Sequence, residues 1–428
     1  MMTLNLGIVG CGGMGFRHME GISELMRHSD IARLTAICDL HESAANHVAD
    51  IAEKNNGFRP KIYTDFDSMI DDSGIDILDI VTDTKTHHSF AIKAMKKGIS
   101  VLTEKPMGIT LKACRQMKEA QEKNNVKLSV AENYRRDPMN RLVKALIDSG
   151  TIGDLQMIVD VSVSGGGYLM HGTGWRAKKS QAGSLILEQG VHTSDLILYF
   201  MGKAINIYAK TAVNNPIRKT SGMLNKQLKN FYGHRVEDQL DDSKEIEIDA
   251  EDTAFSVIDF ENGSFGQMTM TSAANGYGFG NESIHGSKGT IKLPGSRNGN
   301  SPIIYRDSED PKIPPISITG DDLLDLVPNW QLDDITSLYF DNKKRISSYD
   351  YSFEEIDRKL IAIEIHDLAD SIINNRTPEV DSEVGMDALA LAYAALESGE
   401  SGKIIKIEDV ISGKSNSYQK IIDDELNI

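Results

Sequence analysis

The feature that most constrains the fold is a glycine-rich turn directly after an apolar run near the N-terminus. Residues 4–9 are mostly apolar, and residues 10–15 read GCGGMG. A strand that enters a G-x-G-x-x-G turn and leaves it as a helix is the fingerprint of dinucleotide binding, because the glycines permit a tight turn and let the backbone approach a pyrophosphate. The predicted cofactor contacts in this turn are Gly10, Gly12, Gly13, Met14 and Gly15.

A carboxylate follows the second apolar run. Residues 33–38 lead into Asp39, roughly 20 residues after the glycines, as the fingerprint requires. A carboxylate there accepts hydrogen bonds from both ribose hydroxyls and repels a 2′-phosphate. The sequence therefore predicts NAD as the cofactor in preference to NADP. Capping of the next helix is the alternative role for Asp39.

Strand-like and helix-like segments alternate up to about residue 130. This alternation predicts an α/β fold with a parallel, doubly wound sheet covered by helices on both faces. Ligands bind beyond the carboxyl ends of the strands in such sheets. The predicted cofactor-binding residues just after two of these strands are Thr82, His87, Glu104 and Lys105.

The remainder of the chain predicts a second domain. A chain of 428 residues exceeds a single core, so we divide it into residues 1–130 and 131–428. Apolar residues alternate over 155–163, and an Asn-Gly turn separates two strand-like runs within 255–271; both patterns indicate β-structure with one buried face. Segments 214–245 and 295–349 break the pattern. We interpret them as insertions. Surface decoration, meaning loops on the protein surface without a specific role, is favoured over loops at the entrance to the substrate site and over oligomer contacts.

The amino-acid composition disfavours several classes of binding partner. The formal net charge of −17 disfavours binding to nucleic acid or anionic membranes. Three cysteines are too few for a disulfide framework or a tetrahedral zinc site, and no metal site is predicted. The sequence has neither a long apolar run nor a signal-peptide pattern, so the cytoplasm is the predicted compartment.

The sequence resembles the Gfo/Idh/MocA family, which includes glucose–fructose oxidoreductase and inositol dehydrogenase. The resemblance covers nearly the whole chain, through the glycine turn, Thr82 with His87, Glu104-Lys105-Pro106, residues 133–138, Trp175-Arg176, and residues 183–195, 285–290 and 375–378. It implies a C-terminal α+β domain with a large, open, mostly antiparallel sheet that carries the substrate. It also implies a homo-oligomer, either a dimer or a tetramer.

Candidate catalytic groups lie in the segment 183–192. Glu188 and His192 are four residues apart, so on a helix they share a face and the carboxylate can orient the imidazole. The resemblance points to His192 as the base, with Lys105 between the nicotinamide and the substrate hydroxyl. The family position at 188 is usually Asp, and Glu is one methylene longer.

Further site residues rest on the resemblance. It places Trp175 and Arg176 near the cofactor and substrate, although simple packing is an equal alternative. Asn133 and Tyr134 are predicted to contact the substrate together with Lys105, Glu188 and His192.

Three functions remain open at the level of sequence. The first is an NAD-dependent dehydrogenase that oxidises a secondary hydroxyl of a sugar, cyclitol or sugar derivative. The second is an enzyme that retains NAD and cleaves or rearranges a glycoside. The third, ranked last because Lys105 and His192 are both present, is a non-catalytic dinucleotide-binding regulator.

Overall fold

The computed structural model describes residues 3–165, 167, 176, 178–181, 183–219, 245–308 and 312–428. Two large sheets organise these residues. The first sheet is parallel and lies in the N-terminal part, and the second is mixed and lies in the C-terminal part.

Six parallel strands form the first sheet in the order β3-β2-β1-β4-β5-β6. Helices on both faces bury strands such as β4 and β5 completely, as is usual for a parallel sheet. The strands are β1 (Leu4–Val9), β2 (Ala32–Cys38), β3 (Lys61–Tyr63), β4 (Ile77–Ile80), β5 (Ser100–Glu104) and β6 (Leu128–Ala131). The intervening helices are α1 (Gly13–His28), α2 (Glu42–Asn56), α3 (Phe66–Asp72), α4 (Thr84–Lys96) and α5 (Leu111–Asn124). The predicted doubly wound α/β sheet is confirmed.

The second sheet has nine strands in the order β16-β15-β14-β13-β7-β12-β11-β8-β17. Neighbouring strands run antiparallel except β12 and β7, which are parallel. The strands are β7 (Leu155–Gly165), β8 (Ala204–Ala212), β11 (Thr253–Phe260), β12 (Phe265–Ala274), β13 (Phe279–Gly286), β14 (Gly289–Lys292), β15 (Ile303–Arg306), β16 (Ile316–Ile318) and β17 (Ile405–Lys406). Two short strands, β9 (Ile217–Lys219) and β10 (Glu245–Glu247), pair separately. The expected mostly antiparallel sheet is confirmed.

Helices cover one face of this sheet and link it to the first. They are α6 (Pro138–Asp148), α7 (Leu185–Glu188), α8 (Gly190–Met201) and α12 (Ser382–Ser401), and two short helices, α13 (Ile407–Ile411) and α14 (Ser417–Leu426), end the chain. Asp137 caps α6 by accepting from the amide of Met139. Among the described residues, no helix is both long enough and apolar enough to span a membrane.

A helix from the C-terminal part of the chain packs against the helices of the first sheet. Helix α11 (Phe353–Ile373) packs along α1. The approach is close, because a Cβ at Gly21 would lie 2.4 Å from Cγ2 of Ile361. Helix α11, from the C-terminal part of the chain, therefore lies beside α1 and contacts the parallel sheet.

The segment 295–349 differs from the prediction of surface decoration. It contains β15, β16, α9 (Asp322–Leu326) and α10 (Asp334–Tyr339), and Tyr339 and Phe340 are buried in the same apolar cluster as α11. The interpretation was wrong because these elements are too short to show periodicity in the sequence. Most of the other predicted insertion, 214–245, lies outside the described residues.

Candidate active site

The glycine turn has the backbone that a bound pyrophosphate needs. Gly10 has a φ of 98°, and a Cβ at Gly15 would lie 2.0 Å from the carbonyl oxygen of Gly10. Gly12 caps α1, and Gly13, Met14 and Gly15 form its first residues. The first turn of a helix presents unpaired amides and a positive dipole end, so this turn fits the pyrophosphate of NAD.

Asp39 directly follows β2 and forms a hydrogen bond with the glycine turn. Its Oδ2 accepts from the amide of Cys11 at 2.7 Å, and its Oδ1 accepts from the amide of His41 at 2.8 Å. His41, and not Asp39, is the N-cap of α2, so the alternative role as a helix cap is not observed. The carboxylate is placed beside the glycine turn, as the predicted ribose contact requires.

His87, a predicted cofactor contact, lies between the segments that follow β4 and β5. The ring is buried, with Nδ1 3.0 Å from the carbonyl oxygen of Pro106 and Nε2 3.1 Å from that of Thr82. Burial lowers the pKa of His87. Because both nitrogens face main-chain carbonyls, the ring joins the segments that follow β4 and β5. Thr82 keeps its hydroxyl at the strand end, 2.7 Å from Oγ1 of Thr86.

Glu104, another predicted cofactor-binding residue, directs its side chain toward His18 and the Lys105 amide. Its Oε1 lies 3.0 Å from Nε2 of His18, and its Oε2 accepts from the Lys105 amide at 3.0 Å. Nδ1 of His18 lies 2.8 Å from Oδ2 of Asp79. Burial alone would raise the pKa of Glu104, but the hydrogen bond and charge of His18 outweigh it and lower that pKa to about 2. His18 is not among the residues that the sequence predicted for this site.

The side chains of Lys105, Arg176 and Glu188 come together. Nζ of Lys105 donates to the carbonyl oxygen of Glu188 at 2.7 Å and lies 4.0 Å from its Oε2. Nε of Arg176 donates to the same Oε2 at 3.0 Å. The Glu188 carboxylate therefore lies between two cations in a largely buried site. Trp175, the predicted neighbour of Arg176 at the cofactor, lies outside the described residues.

The carboxylate that binds His192 is Glu132. Its Oε1 lies 2.5 Å from Nδ1 of His192. The predicted orientation of His192 by Glu188 assumed one continuous helix. Instead α7 ends at Glu188, and α8 begins after the break at Gln189. Glu132 directly follows β6, so the rule that placed Thr82 and Lys105 at strand ends could also have found it.

Burial and charge tune the His192–Glu132 pair. Burial raises the pKa of Glu132 to about 7. The pKa of His192 is lowered well below its usual value by burial and by the charges of Lys105 and Arg297, against the opposite effect of Glu104 and Glu188. The imidazole is therefore unprotonated near neutral pH and able to accept a proton. Nε2 of His192 has no hydrogen-bond partner in the described part of the chain.

The predicted substrate-side residues flank this pair. The ring of Tyr134 stacks on His192 with centroids 4.1 Å apart and an interplanar angle of 6°. Asn133 is buried, and its Oδ1 has no hydrogen-bond partner among the residues described. Arg135, next in the chain, pairs with Asp195 at 2.5 Å, so it is held within the protein.

The chain is similar to known proteins over both parts. Residues 4–132 match the model of the GFO_IDH_MocA oxidoreductase family, NAD-binding Rossmann fold, and residues 144–407 match the C-terminal alpha/beta domain of that oxidoreductase family. Levoglucosan dehydrogenase of Pseudarthrobacter phenanthrenivorans is 28% identical over 301 residues, which are 68% of this chain and 73% of that protein.

Two further relatives match nearly full length. Myo-inositol 2-dehydrogenase of Thermotoga maritima is 24% identical over 414 residues, 95% of this chain and 100% of that protein. The crystal structure of an NAD binding oxidoreductase from Klebsiella pneumoniae shares the fold, with a TM-score of 0.75 at 21% identity over 95% of this chain and 99% of that one. The chain therefore belongs to the Gfo/Idh/MocA family of NAD-binding oxidoreductases.

Proposed function

We propose that the protein is an NAD-dependent dehydrogenase that oxidises a secondary hydroxyl of a sugar, cyclitol or sugar derivative. One observation carries the proposal: an unprotonated, carboxylate-bound His192 lies beyond the strand ends of the dinucleotide-binding sheet, with Lys105 in the same cluster of charged groups. Oxidation of an alcohol needs a base for the hydroxyl proton as well as an acceptor for the hydride. NAD, when bound at the glycine turn, supplies that acceptor.

The protein residues divide the proton chemistry between them. His192 accepts the hydroxyl proton at Nε2, because Nδ1 is engaged with Glu132. The Glu132 carboxylate then stabilises the imidazolium. The Lys105 ammonium donates to the hydroxyl oxygen and stabilises negative charge that develops there, while Glu188 and Arg176 hold the lysine side chain in place.

The names of two relatives support the substrate class. Levoglucosan and myo-inositol both carry secondary hydroxyls on a six-membered ring. Asp39 supports NAD over NADP, because its carboxylate would repel a 2′-phosphate. The cytoplasmic location and the homo-oligomer remain predictions.

The test is a substrate screen with two readouts. Purified protein is incubated with NAD and a panel of inositols, pyranoses and anhydrosugars, and NADH absorbance is recorded. Aryl glycosides are assayed in parallel for released sugar, because an enzyme that retains NAD would release sugar without net NADH. Formation of NADH that is lost in Lys105→Met supports the dehydrogenase. Turnover by neither readout, with NAD binding shown by fluorescence titration, contradicts it.

A further inference from the structure

Arg297 contacts residues of the candidate active site and belongs to the segment 295–349, which the sequence pattern indicated to be a surface insertion. It follows β14 and adopts a φ of 61°, a left-handed backbone that costs a non-glycine residue free energy and persists where its surroundings enforce it. Its amide donates to Oδ2 of Asp137 at 2.6 Å, and the hydroxyl of Tyr349 donates to the same oxygen at 2.9 Å. The backbone at Arg297 is therefore held against the start of α6.

The Arg297 side chain belongs to a stack of four planar groups. Its guanidinium carbon lies 5.0 Å from the ring centroid of Phe353 and 5.0 Å from that of Tyr134. Tyr134 in turn stacks on His192 at 4.1 Å. One guanidinium nitrogen also donates to the Tyr134 hydroxyl at 3.3 Å. The stack thus runs from α11 through Arg297 and Tyr134 to the imidazole of the candidate base.

A second anchor fixes the guanidinium. Another of its nitrogens lies 3.2 Å from Oδ1 of Asp357. Asp357 also binds Arg17, on the helix that follows the glycine turn, through both of its oxygens. Asp357 is buried, and Arg297 is only 19% exposed. The far end of the stack is therefore tied to the dinucleotide-binding helix.

We propose that Arg297 is a positioning residue for the base, holding Tyr134 flat against His192 so that the imidazole keeps one orientation toward the substrate. The role rests on the proposed function of His192. Glu132 fixes the imidazole at Nδ1, and the Tyr134 face restricts rotation of the ring about that hydrogen bond. Neither contact alone defines both the position and the plane of the ring.

The arginine also acts on His192 through its charge. Burial is the main cause that lowers the pKa of His192; the charges of Lys105 and Arg297 lower it further, and those of Glu104 and Glu188 raise it. Removal of the Arg297 cation therefore raises the pKa of His192, because the imidazolium loses a repulsive neighbour. The contact between the Tyr134 and His192 rings tests the stacking separately from this charge effect.

Three variants separate charge from stacking. Arg297→Gln removes both, Arg297→Lys keeps the charge without the planar group, and Lys343→Gln removes an exposed charge from the same segment as the control. The pKa of His192 is measured by NMR of histidine-labelled full-length protein, assigned with His192→Gln. Steady-state kcat and KM are measured where a substrate is known.

We expect the pKa of His192 to rise in Arg297→Gln, because the imidazolium loses the repulsion of the Arg297 cation, and to stay near wild type in Arg297→Lys and Lys343→Gln. We expect kcat to fall about 10- to 100-fold in both Arg297 variants with little change in KM, because the base is misplaced. In Arg297→Lys the nuclear Overhauser contact between the Tyr134 and His192 rings should weaken.

The NMR readouts need no substrate, so they decide the proposal even if no sugar is oxidised. An unchanged pKa of His192 in a folded Arg297→Gln protein, together with an unchanged ring contact in Arg297→Lys, would overturn it. If Arg297→Gln does not fold, the ring contact and kcat of Arg297→Lys decide alone.

Discussion

Two histidines in this protein, the buried His18 and the largely buried His192, have pKa values shifted in opposite directions. His18 lies between two carboxylates, with Asp79 at Nδ1 and Glu104 at Nε2. His192 has one carboxylate, Glu132, at Nδ1. Burial lowers the pKa of both, but the carboxylates of His18 outweigh it and raise that pKa well above 6.5, whereas the pKa of His192 falls well below it.

The difference assigns the two histidines different roles. A histidine that is already protonated and engaged at both nitrogens cannot accept a proton, so His18 acts as a fixed cation that joins α1 to β4 and β5. A neutral histidine with one nitrogen held and the other available is a proton acceptor. Position at the sheet edge alone would not separate them, since both contact residues at or near strand ends.

The largest expected effect is on catalysis and follows from replacing His192. His192→Gln should lower kcat by about 10²- to 10⁴-fold, the usual contribution of a general base, with little change in melting temperature. The control is His285→Gln on β13, where the ring contacts two hydroxyls, Oγ of Ser283 and Oγ1 of Thr290. Steady-state assays and thermal melts of both variants provide the measurement. Activity retained in His192→Gln would remove this residue from the mechanism.

The corresponding change at His18 should act on stability. His18→Gln leaves Asp79 and Glu104 as buried carboxylates without a cation, which costs about 3–5 kcal/mol of unfolding free energy. Because the folded-state pKa of His18 is raised, its stabilisation is complete below the ordinary histidine pKa of 6.5 and is lost as the pH rises through the folded-state pKa. Urea unfolding against pH checks both statements, with exposed His41→Gln as the control. A loss below 1 kcal/mol would show that His18 is not the cation of this cluster.

A smaller effect is expected at the carboxylate that distinguishes His192. Glu132→Gln weakens a hydrogen bond to a charged group, worth about 1.5–3 kcal/mol, and should lower kcat by about 10- to 100-fold. The pKa of Glu132 near 7 places the acid limb of the wild-type pH–rate profile near 7. In the variant only His192 titrates, so the limb moves to lower pH. A limb that stays in place would assign it to another group.

The sequence located the cofactor half of the site because its signals are local. The glycine turn, Asp39, Thr82 and Lys105 follow from the rule that ligands bind beyond strand ends, and the structure places all of them just beyond strand ends. Glu132 obeys the same rule, but the i, i+4 spacing of Glu188 and His192 offered a nearer partner, and a one-residue break in the helix made that partner wrong.

The other half depends on contacts across long separations. Arg297 meets Tyr134 across 163 residues, and His18 meets Glu104 across 86. No periodicity in the sequence records such contacts. The strained backbone at Arg297 is likewise visible only in three dimensions, since arginine at a left-handed position has no sequence signature as glycine has.

The smallest expected effect concerns Glu364, whose carboxyl group interacts electrostatically with His18 and with Glu132. It is fully buried, neither of its oxygens has a hydrogen-bond partner among the described residues, and burial raises its pKa well above 4.5, against the charges of Arg136 and His18. Its contribution to stability is therefore present below pH 4.5 and declines as the pH rises toward the folded-state pKa. Glu364→Gln removes this titration, so as the pH rises from 4.5 through the folded-state pKa of Glu364 the stability of the variant should gain about 1–3 kcal/mol relative to wild type. Chemical denaturation across that range measures the difference; parallel curves for the two proteins would mean that Glu364 is ionised and compensated in the folded state.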